Sequence, residues 1–326
     1  MILKTILSLC GQVKKAIFGF SKLVFEMSFS SHIGKQKEEK STFSAYLLVV
    51  LMVAIFACYP SEELNIEENE NDKLYTELDD YINDNFVDKF NMAVRYKYQD
   101  NFVGVGQRTV PVELETVRPM LDFLEEYWIG PFLVVENGEE FFKLHVPAEV
   151  VLLGGLIYDG GGVTLGFAEA GSRITLLNVN GLDFDDADWI QQQLNIIYHE
   201  FAHVVHQRYG FPTGFEDITP TGYTGPGSWF TLTDEDALER GFVTPYSTQE
   251  VGEDFAETVA FYLFDVDFES KFLTLEENCA EVACETRNEG REKIKAKLAS
   301  VSDHYEKVTG INLAKLREAT QSVIVK

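Results

Sequence analysis

The chemistry-bearing residues are concentrated in His199-Glu200-Phe201-Ala202-His203, two histidines four residues apart with a glutamate between them. On a helix that spacing puts both imidazoles on one face, one turn apart. There they can bind a single Zn²⁺, and Glu200 beside them can reach a water on that ion. Zinc lowers the pKa of such a water, and Glu200 can take its proton and pass it to a leaving amine. The helix itself is expected. Residues 186–198 contain no Gly or Pro, and Ile190, Leu194, Ile197, Phe201 and Val204 share one face. Alone, the motif also fits two histidines on an ordinary amphipathic helix.

Two histidines leave a zinc ion short of a third protein ligand. The run Glu253-Asp254-Phe255-Ala256-Glu257 opens a second helical segment reaching Phe264. Glu253 and Glu257 are again four apart, and Ala256 and Ala260 lie beside them, small enough to let this helix come close to the first. Glu253 can supply the third ligand while Glu257 accepts a hydrogen bond from a ligating imidazole. Glu257 is the competing ligand, and a solvated acidic face is the bland alternative. His206, two turns after His199, is too far along the axis to share one ion with both histidines and reads as a neighbour of the site.

The elements that must position these groups suggest an α+β chain. Residues 73–90 and 112–128 have helical periodicity, and 91–98 alternates as a strand does. Between 141 and 182, short apolar runs (FFKLHV, VVLLGGLIY, RITLLNVN) separated by glycines read as strands and turns. Residues 292–323 read as closing helices. The segment 210–245, rich in Gly, Pro and aromatics, either lines a substrate cleft or seals the core. By analogy with zincin folds, 173–180 is the edge strand that pairs with an extended peptide.

The charge balance, 27 Lys+Arg against 53 Asp+Glu for a net −26, argues against nucleic acid as a partner, because phosphate neutralisation needs basic groups. The hydrophobic share of 45% is enough to build a core. Lys35, Lys37 and Lys40 precede an apolar stretch, 45–57, that suits the central region of a signal peptide and is short for a lone membrane span. It ends Ile55-Phe56-Ala57-Cys58, where a small residue before Cys resembles a lipobox; Phe56 departs from the usual pattern, and an uncleaved anchor is the alternative. Residues 61–72 are polar and acidic, as a solvated tether is. The expected organisation is a leader over 1–57, a tether over 58–72 and a metallohydrolase domain over 73–326, its metal-binding core at about 140–265. Of the four cysteines, Cys279 and Cys284 can pair in an oxidising compartment only if the chain turns between them.

Taken together, HExxH and a glutamate on a later helix resemble the gluzincin pattern. The stretch Tyr246 to Glu257 (YSTQEVGEDFAE) looks like the matching part of the protease domain of anthrax lethal factor, with a Tyr seven residues before the ligating Glu. That likeness implies Glu253 as ligand and Tyr246 as the hydroxyl that steadies the oxyanion of a tetrahedral transition state. With Cys58, YHEFAHVVHQ (198–207) and GEDFAE (252–257), the chain also resembles the substrate import-associated zinc metallohydrolase lipoproteins of Gram-negative bacteria. This implies a zincin-like fold, bound Zn²⁺, a lipid on Cys58 holding the protein to the bilayer of the bacterial envelope, most naturally the outer membrane, and a peptide or protein substrate. The other reading is a non-catalytic zincin-like lipoprotein that captures ligands for an outer-membrane importer.

Overall fold

The computed structural model describes residues 70–159, 162–164, 166–169 and 172–325. The leader, Cys58 and the tether before residue 70 lie outside the described residues. Helix α1 (Glu70–Ile82) continues through a π turn (Asn83–Val87). Leu78, Ile82 and Phe86 recur every fourth residue and are buried, the stripe that docks this helix. Helix α2 (Leu114–Leu124) likewise runs into a π turn (Glu125–Ile129).

Helix α3 (Gly138–His145) overturns the expectation of a strand in FFKLHV. Phe141, Phe142 and His145 are buried together at helical spacing, and His145 Nδ1 meets the Phe141 carbonyl one turn back at 2.7 Å. An apolar run this short carries no period of its own, and the packing partners decide between helix and strand.

The strands are β1 (Ala93–Arg95), β2 (Glu149–Leu152), β3 (Ile157–Asp159), β4 (Gly162–Thr164), β5 (Gly166–Glu169) and β6 (Arg173–Leu176). The main sheet has the order β1-β2-β6-β5. β1, β2 and β6 are parallel, and β5 is antiparallel to β6 with Gly166 opposite Leu176. β3 and β4 form a separate hairpin. The expectation for 173–180 is therefore corrected. β6 is interior, hydrogen-bonded on both sides, and the strand at that edge is β5. Interior placement explains why Ile174, Thr175 and Leu176 are all buried rather than alternating.

The second half is helical: α4 (Ala187–Tyr209), α5 (Asp234–Arg240), α6 (Val251–Phe264), α7 (Val282–Thr309) and α8 (Leu313–Ile324). α7 begins ten residues earlier than the expected 292, running straight through Gly290. That glycine breaks nothing because it is a contact point: a Cβ there would stand 1.8 Å from the Leu238 carbonyl oxygen of α5.

The core gathers behind α4. Phe201 meets Trp128, Phe132, Phe141 and Phe142 with ring centroids 5.2 to 5.8 Å apart, mostly edge to face. Aromatic packing of this kind adds about 0.5–1.5 kcal/mol per pair beyond burial. Leu194, Ile197 and Val205 are buried on the same helix. The apolar side of α4 is thus fixed, and its opposite side is free for chemistry.

Candidate metal centre

α4 starts at a cap that the sequence writes plainly: the Asp186 carboxylate accepts the backbone N–H groups of Asp188 and Trp189. Along it, His199 and His203 stand one turn apart with their Nε2 atoms 3.0 Å from each other. α6 crosses in the opposite direction, since Glu253 lies by His203 and His199 whereas Glu257, one turn further on, lies by His199 alone. Ala202, Ala256 and Ala260 are all buried, as close packing of the two helices requires.

Glu253 Oε2 is 3.0 Å from His199 Nε2 and 3.2 Å from His203 Nε2. These three atoms form a near-equilateral triangle. Tetrahedral zinc with ligands at about 2.0–2.1 Å separates its donors by roughly 3.3 Å, so two nitrogens and an oxygen at this spacing fit one such ion. His199, His203 and Glu253 form a cluster able to hold a metal.

Each imidazole is aimed from behind. Glu257 Oε1 is 2.7 Å from His199 Nδ1, and its Oε2 accepts the Thr244 hydroxyl at 2.7 Å. A carboxylate can only accept, so His199 carries a proton on Nδ1, and Nε2 is the ring atom that faces Glu253 and His203. His203 Nδ1 is 2.7 Å from His206 Nε2. Burial, helped by the neighbouring His203, pushes His206 down to about 4, so it is neutral at pH 7 and can accept that bond. His206 in turn stacks on Phe211 at 4.6 Å.

The electrostatics favour a cation. Burial pushes the His199 imidazolium down, but hydrogen bonds to Glu253 and Glu257 outweigh it and lift the pKa to about 10. Burial pushes Glu253 up, yet the two histidines more than reverse this and hold it well below the usual carboxylate range. Glu200 moves the other way: burial raises it, and the histidines only partly pull it back. Glu200 has no hydrogen-bond partner among the described residues.

Tyr246 sits on a 3₁₀ turn (Tyr246–Thr248), its ring 5.8 Å from His199 and 5.0 Å from Trp229. Burial, with the nearby Glu253, Glu200 and Glu257 carboxylates, raises its pKa. The 210–245 segment packs against both the site and the core. Phe211 and Trp229 stand by the site, whereas Phe215 is buried against Phe255.

Sequence reasoning missed two supports. One is Thr244, bonded to Glu257 and locked in reciprocal bonds with Ser247. The other is Lys297 of α7, which reaches Asp254 at 2.8 Å, next to the Glu253 ligand, while Tyr223 donates to the same carboxylate at 2.7 Å. A lysine among Ile294, Leu298 and Val301 was the available signal, because a cation on an apolar stripe needs a buried partner.

A mostly helical α+β chain with a small, largely parallel sheet and a His-His-Glu cluster between two helices defines a protein able to bind one metal ion. The chain belongs to the putative zinc-binding metallo-peptidase family, whose model matches residues 71–314. It is similar in fold to the crystal structure of a putative zinc-binding metallo-peptidase from Bacteroides caccae ATCC 43185, at 24% identity, 77% coverage of this chain, 93% of that one and a TM-score of 0.60. No curated protein matches it.

Proposed function

We propose that the protein is a zinc-dependent peptidase of gluzincin type on a zincin-like fold, with zinc held by His199, His203 and Glu253. Zinc, when bound, supplies the Lewis acidity that acidifies a water and polarises a carbonyl. Glu200 takes the proton of the attacking water and delivers it to the leaving amine; its raised pKa suits both transfers. Glu257 holds the His199 ring in one tautomer, and His206 does the same for His203. Tyr246 donates its hydroxyl proton to the oxyanion that develops on the carbonyl.

The observation that carries this reading is Glu200, a half-buried carboxylate without a hydrogen-bond partner among the described residues, beside three donors set for one ion. A module that only captures ligands needs no free base there. The leader supports export, with a lipid on Cys58 anchoring the domain to the envelope. Among the described residues no helix is long and apolar enough to cross a membrane. The test is Glu200→Gln in the zinc-loaded protein. Metal content and melting temperature should be kept, and peptide hydrolysis should fall by about 10²–10⁴. If the wild type binds peptides and zinc but cleaves nothing in a broad library, capture for an importer replaces catalysis.

A further inference from the structure

Further along the same two helices from the metal centre lies a cavity of about 520 Å³. Its floor is the first half of α4, with Gln191, Gln192 and Asn195; one wall is Asn178, just after β6, and the other is Phe261 and Phe264 of α6. Asp188, Gln192, Asn195, His199 and His203 follow one another at steps of three or four along α4, so cavity and metal cluster share one helix face. Glu253, Glu257, Phe261 and Phe264 do the same on α6.

The three carboxamides have no hydrogen-bond partner among the described residues, and Asn195 Oδ1 is shielded from solvent as well. A shielded acceptor left unmade costs about 1–3 kcal/mol, so the site favours an incoming donor. A carboxamide presents a donor and an acceptor in one plane, the complement of a peptide unit. We infer that this cavity is a remote subsite that binds the main chain of an extended peptide substrate, with a basic side chain at that position. The basic preference comes from Asp186 and Asp188, which are exposed and line the cavity, and the two phenylalanines suit the methylenes of Lys or Arg. Gln192 is seven residues before His199, about 10 Å along the axis. An extended chain advances about 3.3 Å per residue, so the subsite lies roughly three residues from the bond cleaved.

This inference rests on the peptidase reading, and the experiment separates the two. The full-length, zinc-loaded protein is given fluorogenic peptides lengthened from about four to about ten residues, ending in Lys or in Glu. kcat/KM should rise about tenfold once the peptide reaches the cavity, more for Lys than for Glu. The ratio of long to short substrates should collapse toward one in Gln192→Ala/Asn195→Ala, and Asp188→Asn should shrink the Lys preference. Binding of the longest labelled peptide to Glu200→Gln, read by fluorescence anisotropy, should weaken about tenfold with the same double substitution. No gain with length, or a gain and a binding constant that survive the double substitution, overturns the subsite and leaves the peptidase standing. If the wild type cleaves nothing while binding still depends on Gln192 and Asn195, the peptidase reading falls and the cavity remains a peptide site.

Discussion

Glu253 and Glu257 differ in which nitrogen of His199 they meet. Glu253 faces Nε2, the ring atom turned toward His203, and Glu257 faces Nδ1. Loss of the first removes a metal donor; loss of the second only loosens an aim. Glu253→Gln is expected to lose zinc under mild chelation, whereas Glu257→Gln should weaken binding by about 10–100-fold, the usual effect of removing an orienting partner. Equal zinc retention in chelator competition would sink the assignment. Tyr246 is judged by kinetics instead. Its hydroxyl is proposed to act on the transition state, so Tyr246→Phe should lower kcat by about 10²–10³ with little change in KM. Unchanged turnover would make the spacing from Glu253 a coincidence. At this scale the sequence shows much: i,i+4 spacing on a helix without breakers places His199, Glu200 and His203 without any knowledge of the rest. It left Glu253 and Glu257 open because both lie on one face of α6. Only the crossing of α6 over α4 separates them, and that depends on packing across residues distant in the chain.

Elements hold the site through polar ties that periodicity does not reveal. Lys297 lies over the Phe242 ring at 3.5 Å, donates to the Gly241 carbonyl at 2.8 Å and pairs with Asp254. Burial drives Lys297 down to about 8 and pushes Asp254 up, while each charge pulls the other back. Such a pair is costly to break from one side. Lys297→Met should destabilise the fold by about 3–5 kcal/mol, leaving Asp254 buried without its cation, and adding Asp254→Asn should recover part of that. A loss under about 1 kcal/mol in urea unfolding would show that water reaches the carboxylate. The sheet has a milder tie. Glu149 of β2 bonds Arg95 of β1 and Arg173 of β6, spanning three strands. Burial pushes its pKa up, but the two guanidiniums hold it below its ordinary 4.5. The folded state then keeps the carboxylate ionised to lower pH than the unfolded chain does. Its stabilisation is present above about 4.5 and is lost as pH falls through the folded value. Partial exposure limits it to about 0.2–1 kcal/mol, so Glu149→Gln should cost that much near neutral pH and progressively less as pH falls below about 4.5. Long helices were legible at this scale because each repeats its apolar stripe several times. The strand-bearing runs 91–98, VVLLGGLIY and RITLLNVN were legible as well, but not their order in the sheet, and α3 was not, because its six-residue apolar run is too short to show a period.

The whole molecule presents a strongly acidic surface and a bridged pair of cysteines. Cys279 and Cys284 form a disulfide, Cys284 being in the first turn of α7 and Cys279 in the loop before it, so the chain does turn between them. Disulfides persist in oxidising compartments, which agrees with export by the leader. An acidic body is repelled by anionic lipid headgroups and gains nothing from resting on them. The proposed attachment to an envelope membrane would therefore have to come from a covalent lipid or a retained apolar leader, and these differ in what Cys58 does. If the thiol carries the lipid, Cys58→Ser should move the protein from the membrane to the soluble fraction. The wild type should also show an N-terminus blocked at Cys58 and a mass above that of residues 58–326. A Cys58→Ser protein still in the membrane fraction, in a cell whose wild-type protein keeps residues 1–57, identifies the leader as a permanent anchor. The catalytic reading survives that outcome, because His199, His203 and Glu253 lie far along the chain from the leader, and α1 already begins at Glu70 within the expected tether.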